Sequence, residues 1–291
     1  MKMHKDQLDI PVPTVAALVA AQFPAWQTLP VRPLPSTGTV NALFRLGDDI
    51  VLRFPLLPAD VTELRTEQEN ARHLAPHLTL QVPEPLALGE PGFGYPGPWT
   101  AYRWIPGDPV TTLTGPQTFA TDLAAFVSEL HVIPTGGRSW PGEGRGGPLH
   151  TEDAYVRRML AECATLTDTT ALARIWSDCL AAPAHPGPDV WLHADLMPGN
   201  LLTRDGSLAA VIDLGAANIG DPAVDLMPAW NLLPPEARTT YRKALAADEA
   251  LWQRGKGWAL VQAIGALPYY QVTNPAMAAT ARHTLNALLE R

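Results

Sequence analysis

Residues 190–213 admit few folds. Three short apolar runs, VWLH, NLLT and LAAVID, are cut apart by the turn signals MPG and RDGS. Each is too short for a stable helix, so they read as small strands. On both sides of them the pattern is helical, with candidate helices over 116–131, 151–163, 168–182, 221–232, 235–247, 251–267 and 275–290. The Gly- and Pro-rich stretch 134–148 reads as an irregular surface connection. Pairing the second and third runs about Arg204, Asp205 and Gly206 would carry Asn200 and Asp213 to one end of a hairpin, with Asp195 on the incoming loop. Three hard oxygen donors gathered in this way suit magnesium, which takes one or two carboxylates or amides and completes its octahedron with water and phosphate oxygens. Taken singly, Asp195 also fits a turn former and Asn200 a strand cap.

The first third of the chain follows a different pattern. PTVAALVAAQF at 13–23 opens with Pro and Thr and carries apolar residues at helical spacing. TVNALFRL at 39–46 and IVLRF at 50–54 flank Gly47, Asp48 and Asp49, a hairpin signal. Within IVLRF, alternation puts Arg53 on the face opposite Leu52 and Phe54. DVTELRTEQENARHL at 60–74 lacks Gly and Pro and reads as a largely exposed helix, with further strands at 86–89 and 99–105. Pro106, Gly107, Asp108 and Pro109 break the pattern and mark a boundary. The result is an α+β organisation, with a sheet-rich portion over 1–105 and a larger, mainly helical portion over 106–291.

Charge narrows the partners. Lys and Arg number 21 against 29 Asp and Glu, a formal net charge of -8, so no general positive field exists to hold nucleic acid. The excess of carboxylates suits a cationic small molecule, although mild acidity also serves solubility. The longest early apolar segment, VAALVAA at 15–21, is far short of the ~20 residues a membrane span requires, so a cytoplasmic protein is expected. Cys163 and Cys179 are too few for a disulfide framework or a zinc site and are expected to be ordinary helix thiols.

The order H-x-D-x-x-x-x-N followed by I-D-x-G resembles the catalytic loop and metal-binding signature of protein kinases. More specifically, HADLMPGNLL and VIDLGAANIGDPAVDL are similar to the paired motifs of the aminoglycoside phosphotransferase family of antibiotic kinases. That resemblance implies a protein-kinase-like fold with a small antiparallel-sheet lobe that binds the nucleotide and a larger helical lobe with the catalytic loop and acceptor pocket. It implies Asp195 as the catalytic aspartate, Asn200 and Asp213 as magnesium ligands, His193 as a packing residue of the loop, and Asp225 as a brace for the loop backbone. Ser36, Thr37 and Gly38 would cover the phosphates. Arg53, where most relatives carry lysine, would approach them with Glu67 as its partner. The stretch AYRWIPG would be the hinge, placing the base beside backbone groups of Arg103 and Ile105 with Tyr102 as gatekeeper; ordinary core packing of Tyr102 is the competing reading. Two departures are Ala194 in place of the usual Gly, and Leu214-Gly215 in place of a frequent aromatic or acidic pair.

The activity so implied is magnesium-dependent transfer of the γ-phosphoryl group of ATP or GTP to a hydroxyl of a small molecule. An aminoglycoside-type cationic antibiotic is the first acceptor. A macrolide or a metabolite such as choline, homoserine or a sugar is the alternative, and a non-catalytic nucleotide-binding pseudokinase is the alternative from another class.

Overall fold

The computed structural model describes residues 4–35 and 38–290, and within them the chain divides into two compact units. The first comprises residues up to Pro76, Gln81–Pro106 and Val211–Gly215; the second comprises His77–Leu80, Gly107–Ala210 and the residues from Ala216 onward.

In the first unit, helix α1 (Val12–Gln22) is followed by strands β1 (Val31–Leu34), β2 (Asn41–Leu46) and β3 (Ile50–Pro55). Helix α2 (Val61–Leu74), β4 (Pro85–Gly89) and β5 (Trp99–Arg103) complete it. The strands form one sheet in the order β1-β2-β3-β5-β4, antiparallel throughout. Alternation divides the sheet's residues as the pattern predicts: Leu52 and Phe54 of β3 are fully buried with Phe44, Leu46, Trp99 and Ala101, and α1 covers this face with Val15, Leu18 and Val19. Phe54 stacks on Trp99 with ring centroids 5.0 Å apart. Arg53 therefore faces the other way, between Leu43 and Thr100 in the register. Asp60 starts α2 by accepting a hydrogen bond from the Thr62 amide at 2.7 Å, so the expected 60–74 helix begins at its cap. The helix turns Glu67, Gln68, Ala71 and Leu74 inward, and Gln68 Nε2 donates to the Ala87 carbonyl of β4 at 2.8 Å. Strand β1 escapes sequence reading because it is four residues long and contains Pro33.

In the second unit, the helices are α3 (Pro116–His131), α4 (Asp153–Glu162), α5 (Thr169–Ala181), α6 (Pro228–Asn231), α7 (Pro235–Ala244), α8 (Glu249–Tyr270) and α9 (Pro275–Leu289). Helix α8 packs against α4, α5 and α9, and it buries Trp258, Leu260, Val261, Ile264 and Leu267, residues on more than one side of its axis. The short strands are where the apolar runs put them: β7 (Val190–Leu192), β8 (Leu201–Arg204) and β9 (Ser207–Val211). Strands β8 and β9 are neighbours in a small sheet with β6 (Asp108–Pro109), and β7 pairs antiparallel with β10 (Asn218–Gly220). The single helix expected over 221–232 does not form. Pro222 and Pro228 each lack an amide hydrogen, and the segment becomes a 3-10 turn over Pro222–Leu226 followed by the one-turn α6. Cys163 and Cys179 are both buried free thiols. Among the described residues no helix is long and apolar enough to cross a membrane.

Candidate active site

The loop from His193 to Asn200 joins β7 to β8 in the second unit and is held from behind by one carboxylate. Asp225 is fully buried, and it accepts hydrogen bonds from the His193 amide at 3.0 Å and the Ala194 amide at 2.9 Å. His131 Nε2 stands 3.2 Å from the same carboxylate, and the Tyr241 hydroxyl donates to the Asp225 carbonyl at 2.7 Å. This grip holds Ala194 at φ +62°, a left-handed conformation that costs an alanine about 1–2 kcal/mol and a glycine almost nothing. His193 is buried beside the edge of Phe126, and its Nδ1 accepts from the Asp195 amide at 3.2 Å. An accepting Nδ1 carries no proton, so this hydrogen bond fixes the ring as its Nε2–H tautomer.

Asp195 sits at the apex of the loop with both carboxylate oxygens engaged. Oδ1 accepts from Arg145 Nη1 at 2.6 Å and from Gln262 Nε2 at 2.9 Å, while Oδ2 faces Asn200 Nδ2 at 3.2 Å. Asn200 Nδ2 also donates to the Asp195 carbonyl at 2.9 Å. The amide nitrogen of Asn200 is thus spent inside the loop, and its Oδ1 is left as the atom able to meet a cation.

Arg145 and Gln262 have no counterpart in the sequence reading. Arg145 lies in the 134–148 connection, whose glycines suggest slackness but serve close packing. A Cβ at Gly220 would stand 2.4 Å from the Gly146 carbonyl oxygen, and one at Gly146 would stand 2.9 Å from Leu192 Cδ1. The two backbones can approach only because neither residue has a side chain. The Asp221 amide then donates to the Gly146 carbonyl at 2.8 Å, and Asn218 Nδ2 donates to the carbonyls of Glu143 and Arg145 at 3.1 and 3.2 Å. Asp221 is anchored in turn by Arg254, which grips both its oxygens from α8 at 2.6 and 3.2 Å. The loop carrying Arg145 is therefore stitched to β10, and Arg145 Nη1 reaches the Ala194 carbonyl at 2.7 Å as well as the Asp195 carboxylate. Arg145 and Gln262, with Glu152, Tyr155, Trp258 and Val261, line a cavity of about 230 Å³.

In the first unit, Arg53 joins three segments of chain. Its Nη1 donates to Glu67 Oε1 of α2 at 2.5 Å and its Nη2 to Asp213 Oδ1 at 2.9 Å. Burial alone would lower the guanidinium pKa, but the Asp213 and Glu67 carboxylates outweigh it and hold it above its ordinary value. The fork of an arginine is what permits two carboxylates to be bridged at once. Asp213 adopts φ +67°, also left-handed. Tyr102 is buried with its ring 5.5 Å from the Arg53 guanidinium, and its hydroxyl lies beside Glu67. Burial, then the Glu67 charge, pushes that hydroxyl well above its usual pKa. Arg103 points outward and pairs with Glu84 at 2.6 Å, while its amide donates to the Glu84 carbonyl. Ile105 lies just beyond β5, and Gly38 is exposed. Ser36 and Thr37 lie outside the described residues.

The structure thus brings Arg53, Glu67, Tyr102 and Asp213 together in one unit, and His193, Asp195, Asn200 and Asp225 together in the other. Among the described residues no group of three His, Cys, Asp or Glu side chains is arranged to hold a metal ion. Asn200 in the second unit offers an amide oxygen and Asp213 in the first a carboxylate oxygen, each a hard donor.

The model of the family described as phosphotransferase enzymes matches residues 31–258. No curated protein matches the chain by sequence. Among solved structures, the GDP complex of wild-type aminoglycoside 2'-phosphotransferase-IIIa is similar with a TM-score of 0.74 at 18% identity, covering 95% of this chain and 98% of that one. The apoenzyme of the macrolide 2'-phosphotransferase MphH from Brachybacterium faecium is similar with a TM-score of 0.65 at 24% identity, covering 95% and 98%. The ternary complex of streptomycin and ATP with APH(2")-IIa gives 0.61 at 18%, covering 95% and 99%.

Proposed function

The chain belongs to the phosphotransferase enzyme family and has its protein-kinase-like α+β fold, and from that premise we propose that it moves the γ-phosphoryl group of ATP or GTP to a hydroxyl of a small molecule. The observation that carries this reading is Asp195, placed on a backbone that Asp225 and His193 fix from behind. In this reading the acceptor hydroxyl donates to the Asp195 carboxylate, which orients the oxygen for in-line attack and takes its proton late, when the transferring group is already loose. Little general-base strength is needed under those conditions.

Residues 1–105 serve as the nucleotide-binding lobe in this proposal, and residues 106–291 as the lobe of the catalytic loop and acceptor pocket. Ser36, Thr37 and Gly38 cover the phosphates, Arg53 with Glu67 lies toward them, and the base lies beside Tyr102, Arg103 and Ile105. Asn200 and Asp213 would hold magnesium, which when bound neutralises phosphate charge. A nucleoside triphosphate donor suits a cytoplasmic site of action.

Two acceptor readings stand. An aminoglycoside-type antibiotic is supported by the acidic balance of the chain and by relatives solved with kanamycin, gentamicin and streptomycin. A sugar-like metabolite is favoured by one observation, the cation of Arg145 on the catalytic carboxylate. Asp195→Ala tests the common core. Positioned acid–base groups contribute ~100-fold or more, so transfer should fall at least that far while magnesium-dependent nucleotide binding persists. Retention of more than about a tenth of wild-type turnover would remove Asp195 from the chemistry, whereas nucleotide binding by wild type with no transfer and no hydrolysis would favour the pseudokinase alternative.

A further inference from the structure

The cavity beside Asp195 differs in character from the acidic chain around it. Its six lining residues include one cation, Arg145, and one carboxylate, Glu152; the rest are uncharged, with Tyr155, Trp258 and Val261 supplying apolar surface. The cation is tied directly to the catalytic carboxylate, at 2.6 Å. It is fixed there, because the carbonyls of Glu143, Arg145 and Gly146 are all bonded to Asn218 or Asp221. Only Nη1 is used inside the protein. Among the described residues no group accepts from Nε or Nη2, and about a third of the side chain is exposed. Gln262 also bonds Asp195 through Nε2, and among the described residues no group donates to its side-chain Oε1.

A hydroxyl bonded to Asp195 is therefore flanked by a guanidinium with unused donors. An oxygen on the neighbouring carbon, as a hydroxyl, ether or carboxylate, would be met by those donors. An ammonium there would face a like charge in a partly desolvated site, where repulsion is screened only weakly. We propose that Arg145 is a specificity-determining residue that makes this pocket select acceptors whose reacting hydroxyl is flanked by oxygen, a neutral or acidic sugar being the class, over acceptors flanked by ammonium. The inference rests on the phosphotransferase reading and decides between its two acceptors.

The test is phosphoryl transfer to three matched hexosides carrying hydroxyl, carboxylate or ammonium at one carbon beside a common free hydroxyl, with kanamycin alongside. Wild type should favour the hydroxyl and carboxylate members over the ammonium member by at least tenfold in kcat/KM, and kanamycin should be the poorest. Arg145→Met should bring the three members within about threefold of one another, whereas Arg145→Lys, which keeps the charge, should keep the order. If Arg145→Met fails to fold by circular dichroism, Arg145→Gln takes its place. A wild-type preference for the ammonium member or for kanamycin overturns the proposal, as does an order that survives loss of the charge. No transfer to any member with magnesium-dependent nucleotide hydrolysis intact also overturns the substrate class, and leaves the phosphotransferase reading standing. Loss of hydrolysis as well sinks the reading itself.

Discussion

Asp225 offers the sharpest test of how the His193–Asn200 loop is held. Its carboxylate is fully buried and serves two backbone amides, those of His193 and Ala194, on separate oxygens. Asp225→Ala would leave both amides without an acceptor in a dry site, and each such orphan costs about 1–3 kcal/mol, so a loss of about 4 kcal/mol is expected. Asp225→Asn keeps one carbonyl oxygen and sets an NH2 group against the other amide, so one bond is lost and the expectation is about 2 kcal/mol. At about 2–4 °C per kcal/mol, the Asn variant should melt roughly 4–8 °C below wild type. Activity should suffer more than stability, because the left-handed backbone of Ala194 is kept in place by this grip, and its relaxation displaces Asp195. Thermal melting by circular dichroism, paired with magnesium-dependent nucleotide hydrolysis, measures both without requiring the acceptor. An Asn variant that melts within about 1 °C of wild type and turns over within twofold would refute the reasoning.

Two further predictions concern the first unit. Arg53→Met strips Glu67, only 7% exposed, of its cation and should cost about 3–5 kcal/mol in urea unfolding, whereas Arg53→Lys should stay within about tenfold in activity; a Met variant with unchanged stability and turnover would place Arg53 outside the site. Tyr102→Phe should change stability by no more than about 1.5 kcal/mol, the worth of one hydrogen bond beside Glu67, while Tyr102→Ala should lose about 3–5 kcal/mol to the cavity it opens. Should Tyr102 limit the base pocket, wild type will use GTP at least as well as ATP and the Ala variant will shift kcat/KM toward ATP by up to about tenfold, the worth of one hydrogen bond; a strong ATP preference unmoved by the substitution assigns Tyr102 to core packing.

What the sequence made legible was local. The 193–225 motif spans a loop, a hairpin and one turn, and alternation along five residues was enough to turn Arg53 away from Leu52 and Phe54. Arg145 and Gln262 were out of reach because they meet Asp195 across 50 and 67 residues of sequence. A glycine-rich stretch looks the same whether it is slack or, as at Gly146, pressed against another backbone. His131 and Tyr241, which complete the surroundings of Asp225, lie on α3 and α7 with no motif to mark them. The helix expected over 251–267 does more than pack: Leu260 and Ile264 of α8 are buried, while Val261 and Gln262 line the cavity. Over 221–232 the apolar spacing is helical, but Pro222 and Pro228 outweigh it and break the segment.

The division of the chain has a bearing on how such a protein can be inherited. The first unit takes five residues, Val211–Gly215, from deep in the second half of the sequence, and Asp213, the partner of Arg53, is among them. The Val211 amide closes that segment onto the Gln81 carbonyl at 3.0 Å. A gene cut after codon 106 would deliver a sheet unit lacking one carboxylate of its charged centre. Recombination at that point cannot trade the two units as cassettes unless the incoming half carries an aspartate at the same distance along its chain. Units interleaved in this way are poorly suited to exchange as modules.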